Sequence, residues 1–314
     1  MDGAAAPSIL FSESHMDRHP PPSLPDWLES QVPFDRYMVE VGDGLNIHVM
    51  EQGEGRPVLL FHGNPTWGYL YRRVAAELVD EPLRLIMPDL IGLGFSDRPS
   101  EVADHTLENH SQWMASLIGQ LNLSDAVVVV QDWGGAIGLH SVSHHPGLMS
   151  GLVALNTVIG PPKTGFKPTS LHRVMNSPLG GFISGTLGWP QDYLRVLQND
   201  KSSISGTVQK SYSYPLKRAQ GGSQAALGLL RMVPDTMDHP TVAPLREVAA
   251  SVKDFTGPSA IVWGRQDPVL GKILRRINRA LPNAEVTVTE AGHFLQEEVP
   301  EEIAAAIMSV VARV

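Results

Sequence analysis

The chain has 314 residues, 42% hydrophobic and 18% charged, enough to bury about three-quarters of its unfolded surface in one domain carrying an insertion. A net charge of −9 with no local run of Lys and Arg gives no long-range attraction for nucleic acid or an anionic membrane surface. The absence of cysteine excludes disulfides, thiolate nucleophiles and Cys-based metal sites.

Residues 1–34 include Pro20, Pro21 and Pro22 but no apolar run of signal-peptide length, and read as a tail lying on the surface. No stretch of about 18 consecutive apolar residues occurs, so the expectation is a soluble, cytoplasmic protein without a membrane partner. Tyr37 to Gly55 alternate apolar and polar residues about Gly42-Asp43-Gly44, the pattern of an antiparallel hairpin with one wet face. Short apolar runs bounded by Gly, Pro or Asp follow at 57–63, 83–90, 126–132, 150–157, 258–264 and 284–290, and predict buried parallel strands. Helices are predicted over 69–78, 106–121, 134–145, 269–281 and 300–312. This alternation implies an α/β fold with a mostly parallel sheet flanked by helices. Between 158 and 237 no comparable strand occurs, while amphipathic pieces such as PQDYLRVLQND and GSQAALGLLRMV recur among glycines and prolines. Such a length is too great for a structureless loop, so it predicts a helical cap inserted into a core of residues 35–157 and 238–314.

In an open parallel sheet, ligands bind beyond the carboxyl ends of the strands. His62, Asn64, Asp89, Asp132, Trp133, Asn156, Asp267 and His293 fall at such ends. In VVVVQDWGG (127–135) a strand gives way at once to a helix, the sequence form of a nucleophile elbow. Gly134 supplies the small neighbour a sharp turn needs, although Val130 stands where an elbow usually has a second one. On this stretch alone, Asp132 reads equally well as the N-cap of the following helix. A lone His is more often structural, but His293 follows the last strand and Asp267 the strand before it. The order Asp132, Asp267, His293 is similar to the nucleophile, acid, base order of α/β-hydrolases.

From about residue 35 onward, HGNPTWGYLYR (62–72), PDLIGLGFSD (88–97), VVVVQDWGG (127–135) and AGHFLQEEVPEEIA (291–304) resemble the haloalkane dehalogenases of the α/β-hydrolase fold. The resemblance implies Asp132 as nucleophile, His293 as base and Asp267 as acid. It also implies Asn64 and Trp133 as the halide-holding pair, with their backbone N–H groups forming an oxyanion hole. The branch it implies takes its acid from Asp267 after the penultimate strand, where other members use a Glu at the position held here by Asn156. A small apolar haloalkane and water would be the reactants and halide a product. No cofactor or metal is implied, and homo-oligomerisation stays open.

The chemistry suits these residue types. Displacing a halide from an sp3 carbon calls for an attacking group that is already anionic, and a carboxylate meets that need at neutral pH. Three alternatives share the scaffold: an epoxide hydrolase, a cofactor-independent oxygenase resembling the coelenterazine luciferases, and a hydrolase-fold binding protein without turnover. Tyr193, Tyr212 and Tyr214 keep the first open, because epoxide hydrolases protonate the opening ring with paired cap tyrosines. His140 and His144 have the i, i+4 spacing of metal ligands, with His145 beside them, but no Glu completes a zinc-protease pattern and a helix-surface role is expected. His62 is expected to shape a turn and Asp89 to brace a loop. Phe166, Leu187, Trp67 and Phe294 are expected pocket walls, each equally suited to core packing; Trp189 is not assigned a halide contact.

Overall fold

The computed structural model describes residues 16–163, 165–166, 173–174, 176–177, 180, 194–218 and 222–314. Its strands are β1 (Arg18–His19), β2 (Asp35–Glu40), β3 (Asn46–Gln52), β4 (Arg56–Phe61), β5 (Leu83–Pro88), β6 (Ala126–Asp132), β7 (Met149–Thr157), β8 (Ser259–Gly264) and β9 (Glu285–Thr289). They form one sheet in the order β1-β2-β3-β5-β4-β6-β7-β8-β9, antiparallel from β1 to β5 and parallel from there on. The helices are α1 (Asp26–Glu29), α2 (Arg72–Glu77), α3 (Leu107–Leu121), α4 (Trp133–Ser143), α5 (Gly206–Arg218), α6 (Gly222–Arg231), α7 (Val242–Asp254), α8 (Leu274–Ala280) and α9 (Pro300–Val311). None of the described helices is long and apolar enough to cross a membrane. Fold and element order are those of an α/β-hydrolase, a mostly parallel sheet between helices.

Strand periodicity explains the two-sided core. Val128 and Val130 of β6 face one hydrophobic cluster with Phe61, Met114, Ile137 and Val248, whereas Val127 and Val129 face the other with Val74, Leu85, Ile303 and Ile307. A strand buried on both faces loses the polar alternation of a wet sheet, which is why β6 reads as an unbroken run of valines. Thr106 caps α3 by accepting from the Asn109 N–H at 3.1 Å, and Asn122 in the left-handed region ends it.

Several expectations change. The stretch 16–34 is not a loose surface tail: Leu24, Leu28 and Val32 recur every four residues and are buried in the core, and β1 pairs with β2. β9 is parallel as expected but lies at the sheet edge and is exposed from Glu285 to Val288. α7 went unanticipated, its apolar positions being diluted by Arg246, Glu247 and Lys253 on the wet side. His140 is buried rather than on a helix surface, with Nε2 3.1 Å from Glu247.

α5 and α6, drawn from the 158–237 segment, are tied to the rest by polar contacts. The indole N–H of Trp67 donates to the Ser211 carbonyl at 3.1 Å, and Arg98 donates to the Pro215 carbonyl at 3.1 Å. The Tyr212 hydroxyl donates to Glu297, whose carboxylate also takes Arg72 at 2.6 and 2.9 Å. Beneath α6, His105 and His110 are buried and their rings meet Nδ1 to Nε2 at 3.0 Å.

Burial disfavours the imidazolium, lowering His105 to about 4 and His110 well below the ordinary range. The unfolded chain takes up a proton on His105 near pH 6.5, so between 6.5 and 4 it binds more protons than the folded chain. Stability therefore falls as pH drops through that window. Urea unfolding should show His105 contributing about 2 kcal/mol of the loss between pH 7 and pH 5, and His105→Asn should reduce the pH dependence by that amount. An equal pH dependence in the variant would contradict this.

Candidate active site

Asp132 is the last residue of β6 and α4 begins at the next residue, so its backbone must turn sharply, with φ 49° and ψ −126°. Such a conformation costs a non-glycine residue about 1–3 kcal/mol and persists only where the surroundings enforce it. Here they do. The Thr157 hydroxyl donates to the Asp132 carbonyl at 2.7 Å. A Cβ on Gly134 would lie 2.3 Å from the Phe61 carbonyl oxygen, and one on Gly63 would lie 2.3 Å from the Asp132 Cβ. Val130 is fully buried in the core, so close approach at this elbow depends on Gly63 and Gly134 rather than on a small residue before the turn. Although Asp132 stands at the N-cap position of α4, its carboxylate makes no capping hydrogen bond. Oδ1 instead accepts from the Asn64 backbone N–H at 2.9 Å, and the Trp133 backbone N–H also favours the charged carboxylate.

The structure brings Asp132, His293 and Asp267 together. Nε2 of His293 lies 3.6 Å from Asp132 Oδ2, and Nδ1 lies 2.9 Å from Asp267 Oδ2. Asp267 accepts from Asn156 Nδ2 at 2.7 Å and, through Oδ1, from the Val269 N–H at 2.7 Å. Asn156 also bridges to the backbone of Gly264, donating to its carbonyl at 3.0 Å and accepting its N–H at 2.7 Å. His293 is clamped by its own backbone: its N–H donates to the Leu197 carbonyl at 2.9 Å, and its carbonyl accepts from Gln131 at 3.2 Å. Gln198 brackets the next residue, accepting the Phe294 N–H at 2.9 Å and donating to its carbonyl at 3.0 Å.

Asn156, Gln131 and Gln198 were not assigned these supporting contacts by sequence. Gln131 had a signal, a buried polar residue directly before the elbow. Gln198 had none, because its partner lies 96 positions away.

Charges distribute unevenly over the three groups. Burial raises the Asp132 carboxyl, against the opposing pull of His293 and the two backbone N–H groups. Burial would lower His293, but Asp267 and then Asp132 outweigh it, and the net direction is upward. Asp267 is also penalised by burial, yet the imidazole and the Asn156 and Val269 donors hold it below the usual carboxylate range. One imidazole thus sits between two carboxylates, Asp267 held by side-chain and backbone donors and Asp132 by backbone donors alone.

Asn64 and Trp133 flank the elbow, each 8% exposed, with the Asn64 Nδ2 donating to the Ala226 carbonyl at 3.1 Å. His62 shapes the turn: Nδ1 faces the Gly63 carbonyl at 2.9 Å, and Nε2 accepts the Leu90 N–H at 2.9 Å. Asp89 braces a loop by accepting from the Gly68 and Phe95 N–H groups and pairing with His48. His140, His144 and His145 do not converge on a shared point: His140 faces Glu247 and His145 faces the Ala115 carbonyl, and no metal-holding group occurs among the described residues. Phe166 is 43% exposed, while Trp67 and Phe294 are buried, Phe294 packing edge-on against His293 at 4.8 Å. Leu187, Trp189 and Tyr193 lie outside the described residues.

A profile of the alpha/beta hydrolase family matches residues 58–306. A haloalkane dehalogenase from Mycobacterium marinum is 32% identical over 295 residues, covering 88% of this chain and 94% of that protein. The crystal structure of a variant haloalkane dehalogenase from Agrobacterium tumefaciens C58 matches with a TM-score of 0.77 at 25% identity, covering 89% of this chain and 97% of that one. An epoxide hydrolase structure shares the fold at 21% identity, with a TM-score of 0.70 and coverage of 89% and 99%.

Because Asn156 satisfies both Asp267 and the Gly264 backbone, Asn156→Ala leaves a buried N–H and a carboxylate short of partners. Urea unfolding at pH 7 should register a loss of about 1–3 kcal/mol. A variant as stable as the parent would show that these bonds do not hold the acid in place.

Proposed function

The chain belongs to the haloalkane dehalogenases of the α/β-hydrolase family, and from that premise we propose which residues cleave the carbon–halogen bond and how. The observation that carries the reading is a carboxylate at the elbow, 3.6 Å from an imidazole that a second carboxylate orients at 2.9 Å. A serine there would need a base to become a nucleophile, whereas Asp132 attacks as the anion it already is.

In the first step an oxygen of Asp132 displaces the halide in line, giving an alkyl ester. The indole N–H of Trp133 and the amide of Asn64 donate to the departing halide as its charge grows. In the second step His293 takes a proton from water, which attacks the ester carbonyl. The oxyanion forms where the Asn64 and Trp133 backbone N–H groups already meet the carboxylate. Asp267 orients the imidazole and stabilises its cation. Collapse expels the alkoxide, which takes the proton from His293 and leaves as the alcohol, and the regenerated Asp132 carboxyl gives its remaining proton to solvent. The reaction needs no cofactor. Residues 158–237 serve as the cap on a core of 35–157 and 238–314, and the enzyme works in the cytoplasm on small apolar haloalkanes.

An epoxide hydrolase would need a cap tyrosine free to give its proton. Tyr212 is fully buried and committed to Glu297, with burial and that carboxylate raising its pKa well above 10. Tyr214 packs edge-on against Trp27. The Tyr212 contact does not favour ring opening.

Without His293 the first step should continue while ester hydrolysis slows by about 10²–10⁴. Intact mass of His293→Ala after exposure to a bromoalkane should therefore show one alkyl adduct and one equivalent of bromide. An unmodified protein that releases no bromide would exclude this assignment.

The two steps should also differ in pH dependence. In the free enzyme Asp132 helps hold the imidazole charged, and alkylation turns that carboxylate into a neutral ester. The His293 pKa then falls, so the base stays available at lower pH in the intermediate than in the free enzyme. Ester hydrolysis is lost only as pH drops through this lowered value, and adduct should accumulate in rapid-quench samples on that acid limb. Turnover that declines there with no adduct would count against His293 acting in the second step.

A further inference from the structure

The side chain of Asn64 is held from α6. Its Nδ2 donates to the Ala226 carbonyl at 3.1 Å, and its Oδ1 is buried without a partner. Only the nitrogen end of an amide can face a carbonyl oxygen, so Ala226 decides which way the amide lies. α6 can reach Asn64 because small residues let it descend. A Cβ on Gly92 would lie 2.4 Å from the Ala225 Cβ, and a Cβ on Gly228 would lie 2.5 Å from the His105 Cβ. His105 is itself fixed by its 3.0 Å contact with His110. A cavity of about 270 Å³, bordered by His105, Gly228, Met232 and His239, opens beside this contact. On that side the helix therefore rests on His105 rather than on continuous packing.

We propose that the Ala226 carbonyl is a positioning group for halide departure, and that the seating of Gly228 on His105 sets halide affinity through it. The inference rests on the reading of Asn64 as a halide donor. One N–H of the amide engages Ala226 and leaves the other for the halide. If α6 lifts, the amide is free to turn and can present Oδ1, an acceptor, where a donor is needed. Asp132, His293 and Asp267 take their hydrogen bonds from the backbone of Asn64 and from Asn156, Val269, Gln131 and Leu197, none of them on α6. The ester-hydrolysis step should therefore be insensitive to this seat.

Gly228→Ala places a methyl against His105 and lifts α6. Bromide affinity, read by quenching of indole fluorescence, should fall about tenfold, and alkylation by a bromoalkane should slow with it. Decay of the preformed alkyl-enzyme in single turnover should stay within about twofold of the parent, the lost donor acting on halide departure alone. In an Asn64→Ala background, Gly228→Ala should cause no further loss of bromide affinity, because the two changes act through one amide. If Gly228→Ala does not fold, Ala225→Ser crowds the same seat against Gly92 with one added atom and is held to the same expectations. Unchanged bromide affinity in a folded seat variant, or a full further loss in the Asn64→Ala background, would overturn the proposal. A parent enzyme that releases no bromide from bromoalkanes would instead overturn the functional reading, which separates the two failures.

Discussion

The structure turns on one close approach, that of the Asn64 N–H in the turn after β4 to the Asp132 carboxylate at the end of β6, 2.9 Å apart. Adjacent parallel strands would ordinarily carry a side chain at each end and hold the connecting turns apart. Here Gly63 stands two residues beyond β4, where its missing Cβ leaves room for the Asp132 side chain, and Gly134 does the same for the Phe61 carbonyl. The valine run of β6, buried on both faces, supplies the rigidity that keeps a left-handed aspartate from relaxing. Core packing thus fixes the place of the carboxylate, and the carboxylate is then met by backbone donors that cannot move away.

From that contact the electrostatics follow. Burial disfavours the Asp132 anion, two backbone N–H groups favour it, and a nearby imidazole balances the account only in part. The net direction is upward, so Asp132 holds its charge less tightly than Asp267, which suits a nucleophile. Asp267 has the opposite environment, with Asn156, Val269 and His293 all donating to it, which suits a fixed counter-charge. Two aspartates of the same intrinsic acidity are set to different work by the number of donors around each.

Much of this was legible in the sequence because it is local. The alternation of apolar runs and helices located the parallel strands within a residue or two, and Asp132, Asp267 and His293 stood at strand ends whose order is readable directly. What was not legible depends on long-range pairing. Leu24, Leu28 and Val32 are spaced like a helix face, but only contact with the core distinguishes them from a proline-rich tail. Glu285 to Thr289 read as a buried strand because they close a series of short apolar runs, and only their place at the sheet edge leaves Val286 and Val288 exposed. Asn156 and Gln198 gain meaning solely from partners about a hundred positions away.

The seam between α5, α6 and the core shows why polar contacts matter there more than area. Apolar packing alone would let a helix slide along its groove, since it has no direction and a graded cost. The contacts Trp67 to Ser211, Arg98 to Pro215, Tyr212 to Glu297 and Asn64 to Ala226 each require one donor to meet one acceptor, three of them on backbone carbonyls of the helices. A carbonyl acceptor is independent of the residue that bears it, so the side chains of α5 and α6 that face outward can vary while the register of both helices against the core stays fixed. Among these contacts, Asn64 to Ala226 alone starts from the residue whose backbone holds the carboxylate, and through it the placement of α6 reaches the reacting atoms.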